Sequence, residues 1–247
     1  MEQKIAVAFP GQGSQRPGMG RDFYEHSAEA RRVFEEASDS VGWDVAALCF
    51  SDEEKLNLTE YAQPCILTTE IAMLRALYSL YDFAPSCFGG HSLGEYTALV
   101  ASGALPLGDV LRIVHLRGKL MQRAVPVGVG GMAACISPGI DADRMRQSLC
   151  GLPMDVANIN STDQVVISGA NSAMDEARER IAPLAADKPF RFVPLNVSAP
   201  FHSRFMSAVE DPFEESLASA RRNLRPEAAV NVTSNYTGSF HSDNVEQ

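Results

Sequence analysis

The sequence is short of the residues that would tie it to a disulfide framework, a metal cluster, a membrane or a nucleic acid. Only five of its 247 residues are cysteines, Cys49, Cys65, Cys87, Cys135 and Cys150. Their number is odd and no two have Cys-x-x-Cys spacing, so neither a disulfide scaffold nor a zinc site is expected, and a reducing cytoplasm fits best. Basic residues are also few. The 21 Lys and Arg stand against 31 Asp and Glu, a formal net charge of −10, which argues against nucleic acid or an anionic membrane as partner. Long hydrophobic runs are missing. The longest uncharged stretch, Ala124 to Ile140, is broken by Pro126, Pro138 and four glycines and is too short for a membrane span. The apolar run Ile5 to Phe9 is too short for a signal-peptide core. Two nucleotide motifs fail as well. Gly11-Gln12-Gly13 opens like a dinucleotide fingerprint, but Arg16 stands where the third glycine belongs, and no Gly-Lys-Ser/Thr ending follows.

What is present is the balance of a globular protein, 45% hydrophobic and 21% charged, with chain enough for a substantial core in one or two domains. Ile5 to Phe9 reads as a buried strand stopped by Pro10-Gly11. A helix is expected from about Arg21 to Ser38, with Phe23, Val33, Phe34 and Ala37 on its buried face. Another starts near Pro64, a residue tolerated in a first helical turn, with Leu67, Ile71, Leu74, Tyr78 and Tyr81 as its stripe. A short strand around Ser86 to Phe88, a Gly-rich turn and a helix from Ser92 to Ala101 follow. Asp109 can cap a helix that runs to about Ala124. After Pro126 the pattern changes to strand 131–136, helix 141–149, strand 155–159, strand 164–168, helix 172–186 and strand 190–195. That order, βαββαβ, is the split arrangement of ferredoxin-like domains. The expected organisation is a discontinuous large α/β domain, 1–126 and 198–247, interrupted by a small one, 127–197. A helix from Arg204 to Ala220, with Met206, Val209, Phe213 and Leu217 as its apolar face, and a strand from Ala229 to Ser234 complete the large domain.

The chemistry centres on Gly90-His91-Ser92-Leu93-Gly94, a Gly-x-Ser-x-Gly between an expected strand and an expected helix. In that context the sharp turn projects the Ser92 hydroxyl at the top of a sheet, and the helix N-terminus favours negative charge beside it. A serine nucleophile needs a base. His26 lies on an acidic exposed helix, His91 flanks the serine as a wall or support residue, His115 sits mid-helix, and His241 is near the chain end. His202, in a loop between strand and helix, is the favoured base. Arg117 falls within the apolar stripe formed by Val110, Ile113, Val114, Met121 and Ala124, so its guanidinium must snorkel out or meet an anion. An internal carboxylate and a substrate carboxylate are both open. A backbone N–H of the Gly11–Gln15 loop could contribute to an oxyanion hole.

Phe9-Pro10-Gly11-Gln12-Gly13-Ser14-Gln15, Gly90-His91-Ser92-Leu93-Gly94-Glu95-Tyr96, Arg117-Gly118-Lys119 and Ala199-Pro200-Phe201-His202-Ser203 occur in one order along the chain. Together they closely resemble the malonyl-CoA:acyl carrier protein transacylases and the acyltransferase domains of polyketide synthases. The resemblance implies an α/β-hydrolase-like large subdomain with a ferredoxin-like insert. It implies a ping-pong transfer of malonyl from malonyl-CoA, through malonyl-Ser92, to the phosphopantetheine thiol of acyl carrier protein, in fatty acid or polyketide synthesis. His202 would be the base, the backbone N–H groups of Gln12 and Leu93 the oxyanion hole, and Arg117 the ligand of the malonyl carboxylate. Met121 and Asn160 match cleft-lining positions. Phe201 matches a position where a bulky residue accompanies preference for malonyl over methylmalonyl. No metal and no cofactor is implied, coenzyme A entering only as the substrate thioester.

The family's chains continue with a segment that opens on Arg-x-Gln and orients the histidine, and this sequence ends at Asn244-Val245-Glu246-Gln247, ahead of it. Two other readings stand beside the transferase. One is an α/β-type serine esterase or thioesterase, which calls for an acid between serine and histidine that no Asp or Glu announces. The other is an inactive module that binds carrier protein. Arg112, Lys119 and Arg123 on one polar helix face are the expected basic patch for an acidic partner.

Overall fold

A computed structural model describes residues 4–51, 53–126, 128–197 and 199–243. The chain forms two compact units, Met1–Lys119 with Phe213–Gln247, and Leu120–Pro212. The switch points expected at 127 and at Ser198 lie outside the described residues, as does the end of the chain from 244. In chain order the elements are β1 (Ala6–Phe9), α1 (Arg21–His26), α2 (Ala28–Val41), α3 (Val45–Ser51), α4 (Glu53–Leu56), α5 (Thr59–Leu80), β2 (Cys87–Gly90), α6 (Leu93–Ala101), α7 (Leu107–Ala124), β3 (Gly130–Ile136), α8 (Ala142–Ser148), β4 (Met154–Ser161), β5 (Gln164–Ala170), α9 (Met174–Ile181), β6 (Arg191–Pro194), α10 (Glu210–Ala220) and α11 (Pro226–Ala229). This is a mixed α/β protein with one parallel and one antiparallel sheet. Among the described residues no helix is long and apolar enough to cross a membrane.

In the first unit β1 and β2 pair in parallel, Phe9 opposite Gly90, and Val232 adds a single parallel bridge to Phe88. The strand expected to be buried is so only at Phe9, with Ala6 and Ala8 exposed. Most of the apolar burial lies instead between helices, where Val33, Phe34 and Ala37 of α2 meet Ile66, Leu67 and Ile71 of α5 and Val110, Leu111 and Val114 of α7. A smaller cluster of Phe9, Leu74, Phe88, Ala98 and Val232 lies under the elbow between β2 and α6.

Several expectations fail for identifiable reasons. The helix expected over 21–38 is two helices, because Ser27 takes extended φ and ψ and its hydroxyl accepts the Ala30 N–H, starting a new N-terminus. Pro64 does not open α5. Ala62 N–H already donates to Leu58 C=O at 2.8 Å, so Pro64 sits inside the helix and omits one rung of the ladder. Tyr78 and Tyr81 are 39% and 64% exposed, so the buried stripe of α5 ends at Ala76, and Leu217 of α10 is likewise exposed. Asp109 lies in the first turn of α7, not at its cap, and spends its carboxylate on Arg112 and on Asn223, 2.6 Å away. The strand expected from Ala229 begins as the helical turn α11 and pairs only at Val232 and Thr233.

The second unit is a four-stranded antiparallel sheet in the order β4-β5-β3-β6, with α8 and α9 in βαββαβ sequence. Asp141 caps α8 by accepting the N–H groups of Asp143 and Arg144. The expected long helix after β5 is one α-helix flanked by 3-10 turns at Asn171–Ala173 and Ala182–Ala185, the second holding Pro183. Cys135, Met145, Met154, Val165, Ile167 and Ile181 fill its core.

Candidate active site

The Gly-x-Ser-x-Gly segment turns sharply between β2 and α6. His91 N–H still donates to Phe9 C=O at 3.0 Å, extending the ladder by one residue. Ser92 then takes φ 52° and ψ −99°, a conformation costly for a residue with a Cβ, and α6 begins at Leu93. The flanking glycines are required by close approach. A Cβ on Gly90 would stand 2.0 Å from the Gly94 carbonyl carbon, and one on Gly94 would stand 2.2 Å from Phe9 O. This is the geometry of a nucleophile elbow. At the first turn of α6 the Leu93 N–H has no helical acceptor.

The Gly11–Gln15 loop folds onto the elbow, since a Cβ on Gly11 would stand 2.5 Å from His91 O. Its shape comes from Ser14, whose hydroxyl donates to Gly11 C=O at 2.8 Å, and from Gln15, which accepts the Gly13 N–H at 2.7 Å. Gln12 is tethered by its side chain, Nε2 donating to Thr59 Oγ1 at 3.0 Å.

Thr59 opens α5, and one turn later the fully buried Gln63 accepts from Arg117 Nη1 at 3.0 Å. Gly118 makes this possible by bringing α7 against α5, for a Cβ there would stand 2.6 Å from Thr59 O. The half-buried Arg117 guanidinium also lies 5.6 Å from the Tyr96 ring centroid. Among the described residues no carboxylate pairs with Arg117. Its neighbours carry their charges elsewhere: Arg112 meets Asp109, and Lys119 Nζ lies 3.4 Å from Glu60, which also faces His115 at 3.5 Å. Two of the three cations expected as a free basic patch are therefore already paired, because Asp109 and Glu60 lie within reach on α7 and α5.

Gln12, His91, Ser92, Leu93 and Arg117 belong to the first unit; Met121, Asn160, Phe201 and His202 belong to the second. Met121 is buried near the end of α7. Asn160 is exposed on β4 and donates to Gln164 Oε1 at 2.8 Å. Phe201 is buried, with its N–H on Ala199 C=O. His202 is exposed and, like Ser92, has a positive φ, 56°. The loop around it is held by Ser203 Oγ donating to Pro200 C=O at 2.6 Å and by an Arg204–Asp155 clamp. Asp155 Oδ2 accepts the Arg204 backbone N–H at 2.8 Å, and its carboxylate takes both Nε and Nη2 of the guanidinium. Partial burial pushes the Asp155 carboxyl up, and the Arg204 bonds and charge outweigh it, leaving it below the ordinary range.

Sequence reasoning missed Asp155, Gln63 and Asn235. Asn235 bonds the elbow itself, Glu95 bonds Asn235, and His241 bonds Glu95 in turn. Glu95 was in view inside the motif, but Asn235 lies more than 140 residues from Ser92 in sequence, with no local signal. His26, by contrast, meets the Asp22 carbonyl of its own helix. Among the described residues no group of His, Cys, Asp and Glu is placed to hold a metal ion.

An α/β scaffold with a Gly-x-Ser-x-Gly turn beside a glycine loop, and an arginine with no carboxylate partner among the described residues, places the chain in a class, the acyl-transfer proteins. Within it the chain belongs to the acyl transferase domain family, whose sequence profile matches residues 7–242. It is 42% identical over 220 residues to the malonyl CoA-acyl carrier protein transacylase of Bacillus subtilis, covering 87% of this chain and 68% of that one. The solved malonyl CoA-acyl carrier protein transacylase of Coxiella burnetii superposes with a TM-score of 0.87 at 32% identity, over 99% of this chain and 76% of that one. A malonyl-transacylase solved in complex with a type II PKS acyl-carrier protein superposes with a TM-score of 0.86 at 35% identity, over 99% and 78%.

Proposed function

We propose that this chain transfers a malonyl group from malonyl-CoA to the phosphopantetheine thiol of acyl carrier protein through a malonyl-Ser92 ester. The observation that carries the reading is Arg117, a half-buried guanidinium held in place by a neutral amide, Gln63, with no carboxylate of the described residues beside it. A guanidinium so placed is prepared for a carboxylate brought by the substrate, and malonyl differs from acetyl by that one group. The names of the curated and solved relatives support malonyl-CoA as donor, and the relative solved with its acyl-carrier protein supports a carrier protein as acceptor.

In this mechanism His202 takes the Ser92 proton as Oγ attacks the thioester carbonyl. The negative charge collects on the carbonyl oxygen, toward the backbone N–H groups of Gln12 and Leu93. The C–S bond breaks, and coenzyme A leaves with the proton from His202. The carrier-protein thiol then gives its proton to His202 as its sulfur attacks the ester carbonyl, the C–Oγ bond breaks, and His202 returns the proton to Ser92 Oγ. His91, Met121, Asn160 and Phe201 line the acyl site, Phe201 as a bulky wall against branched acyl groups. The antiparallel unit is the ferredoxin-like subdomain, the rest is α/β-hydrolase-like, and the reaction runs in the cytoplasm.

Intact-mass spectrometry after incubation with malonyl-CoA tests this, a malonyl adduct on Ser92 being the expected product. Arg117→Ala should slow malonyl loading about 100-fold, the cost of removing one partner of a desolvated charge pair. Loading from acetyl-CoA should stay within about threefold by the same argument. Equal loss of both acyl groups would refute the carboxylate role, and release of free malonate as fast as transfer would favour a hydrolase.

A further inference from the structure

The elbow raises a question that the reaction itself does not answer: what holds Ser92 in its strained backbone conformation. On one edge β2 is secured by β1. On the other edge the chain around Val232 runs parallel to β2 for one rung, Phe88 N–H donating to Asn231 C=O at 2.8 Å and Thr233 N–H donating to Phe88 C=O at 3.0 Å. Farther along a continued parallel ladder, the Gly90 carbonyl and the Ser92 N–H would meet the backbone N–H and C=O of residue 235. The Asn235 side chain takes that place. Its Nδ2 donates to Gly90 C=O at 2.7 Å, and its Oδ1 accepts the Ser92 N–H at 3.1 Å. One primary amide thus bridges the two backbone groups that flank His91, copying a peptide unit where the strand has already turned away.

Asn235 is itself fixed. Glu95 Oε2 accepts both the Asn235 backbone N–H, at 2.9 Å, and its Nδ2, at 2.7 Å. The other Glu95 oxygen lies 2.9 Å from His241 Nε2. His241 is brought there by the turn that bonds Ser234 N–H to Ser239 C=O and His241 N–H to Val232 C=O. These contacts settle the amide orientation, because only Nδ2 can face two acceptor oxygens while Oδ1 faces an N–H. The geometry requires a donor and an acceptor in one plane, which asparagine has and aspartate lacks.

From this we infer that Asn235 is a positioning residue for the Ser92 nucleophile, locked by Glu95 and His241. The inference rests on the reading of Ser92 as nucleophile. Asn235 touches no reacting atom and acts through the φ and ψ of Ser92, so its loss should show in the rate of acylation and leave substrate binding alone.

The experiment is a rapid-quench measurement of malonyl-Ser92 formation by intact mass on the wild type and on Asn235→Ala, Asn235→Asp and Glu95→Gln/Asn235→Asp. It is paired with amide hydrogen exchange at the Ser92 N–H and with thermal melting. Wild type that forms no adduct sinks the proposed reaction and leaves the exchange readout to judge the clamp. If wild type acylates, Asn235→Ala should lower the acylation rate constant about tenfold, with KM for malonyl-CoA within twofold, the scale of losing two surface-accessible hydrogen bonds. It should also speed exchange at Ser92. Asn235→Asp keeps the acceptor for Ser92 N–H but sets a carboxylate against Glu95, and should be as slow. Glu95→Gln in that background supplies a donor to the new carboxylate and should recover part of the rate. A folded Asn235→Ala with wild-type acylation and unchanged Ser92 exchange overturns the assignment. So does a double variant no faster than Asn235→Asp alone.

Discussion

The two residues proposed to share a proton, Ser92 and His202, both sit at positive φ, 52° and 56°, and the chain secures them by different means. Around Ser92 the turn is shaped by backbone on backbone, with the Asn235 amide clamped over it. Gly90, Gly94 and Gly11 let the strand end, the helix start and the loop after β1 approach within distances that no Cβ survives. Around His202 the restraint is a side-chain ion pair at the surface, Arg204 on Asp155, with the Ser203 hydroxyl on Pro200. Close backbone packing has no titratable part and fails all at once when a methyl group intrudes. An exposed ion pair is weaker, is graded by pH and salt, and can be removed without unfolding its unit. The proposed nucleophile is thus built for rigidity and the proposed base for adjustment.

The sharpest way to break the elbow is Gly94→Ala. The added methyl carbon would stand 2.2 Å from Phe9 O and 2.8 Å from Pro10 O, both backbone atoms that cannot rotate away. Relieving that overlap means parting α6 from β1, so a loss of about 3 kcal/mol or more in stability is expected, with Ser92 acylation abolished. Chemical denaturation reads the first and intact mass the second. A variant of near-native stability would show that the elbow is more compliant than its glycines imply.

A second intervention acts beneath the same elbow. Thr97 of α6 donates to Glu70 Oε2 of α5 at 2.5 Å. The other carboxyl oxygen is buried with no partner among the described residues. Burial pushes the Glu70 carboxyl up to about 8, the Thr97 bond opposing it. Between its unfolded value near 4.5 and its folded value near 8, the folded state holds a proton that the unfolded state has released. Stability therefore falls as pH rises through that window and levels off above it. Glu70→Gln removes the dependence. Relative to wild type it should gain about 3–4 kcal/mol on going from about pH 5 to about pH 8. Melting curves at the two pH values test this, and a gain equal at both would rule out the buried proton.

How much of this could be read from residues depended on how local the cause is. The elbow was legible because Gly90, Ser92 and Gly94 carry their reason within five positions. The second unit was legible because alternating strands and the Asp141 cap leave a clear βαββαβ rhythm. The helix break at Ser27 was also local, but it was masked by an apolar stripe that runs through Phe23 and Val33. Pro64 misled because a proline is tolerated in a first turn, whereas here it sits deeper in a helix whose first turn packs under Gly118. Asn235, Asp155 and Gln63 had no local mark at all. Each acts on a partner between 49 and 143 residues away, and only the fold brings them together.

The smallest expected effect, and the one that separates the two modes of restraint, is Asp155→Asn. The pair it weakens is 25% exposed on Asp155 and 60% on Arg204, so solvent screening limits its worth to about 0.5–1 kcal/mol. The substituted amide still offers an oxygen to the Arg204 N–H, so the loop stays in place but loosely. The turnover number should fall about threefold to tenfold with KM for malonyl-CoA unchanged, the range of a loosened proton acceptor rather than a missing one. The sign of the pH effect follows from the direction of the shift. Because Arg204 holds the folded carboxyl below its ordinary value, the clamp contributes in full above the unfolded pKa near 3.8 and is lost as pH falls through the lower folded one. The melting difference between wild type and Asp155→Asn should therefore be present at neutral pH and shrink in acid, once the folded carboxyl is protonated. Added salt should narrow it as well. Gly94→Ala should show neither dependence. A difference that persisted unchanged into acid would mean that Asp155 acts by shape alone, and the contrast between a packed Ser92 turn and a His202 loop held by an ion pair would collapse.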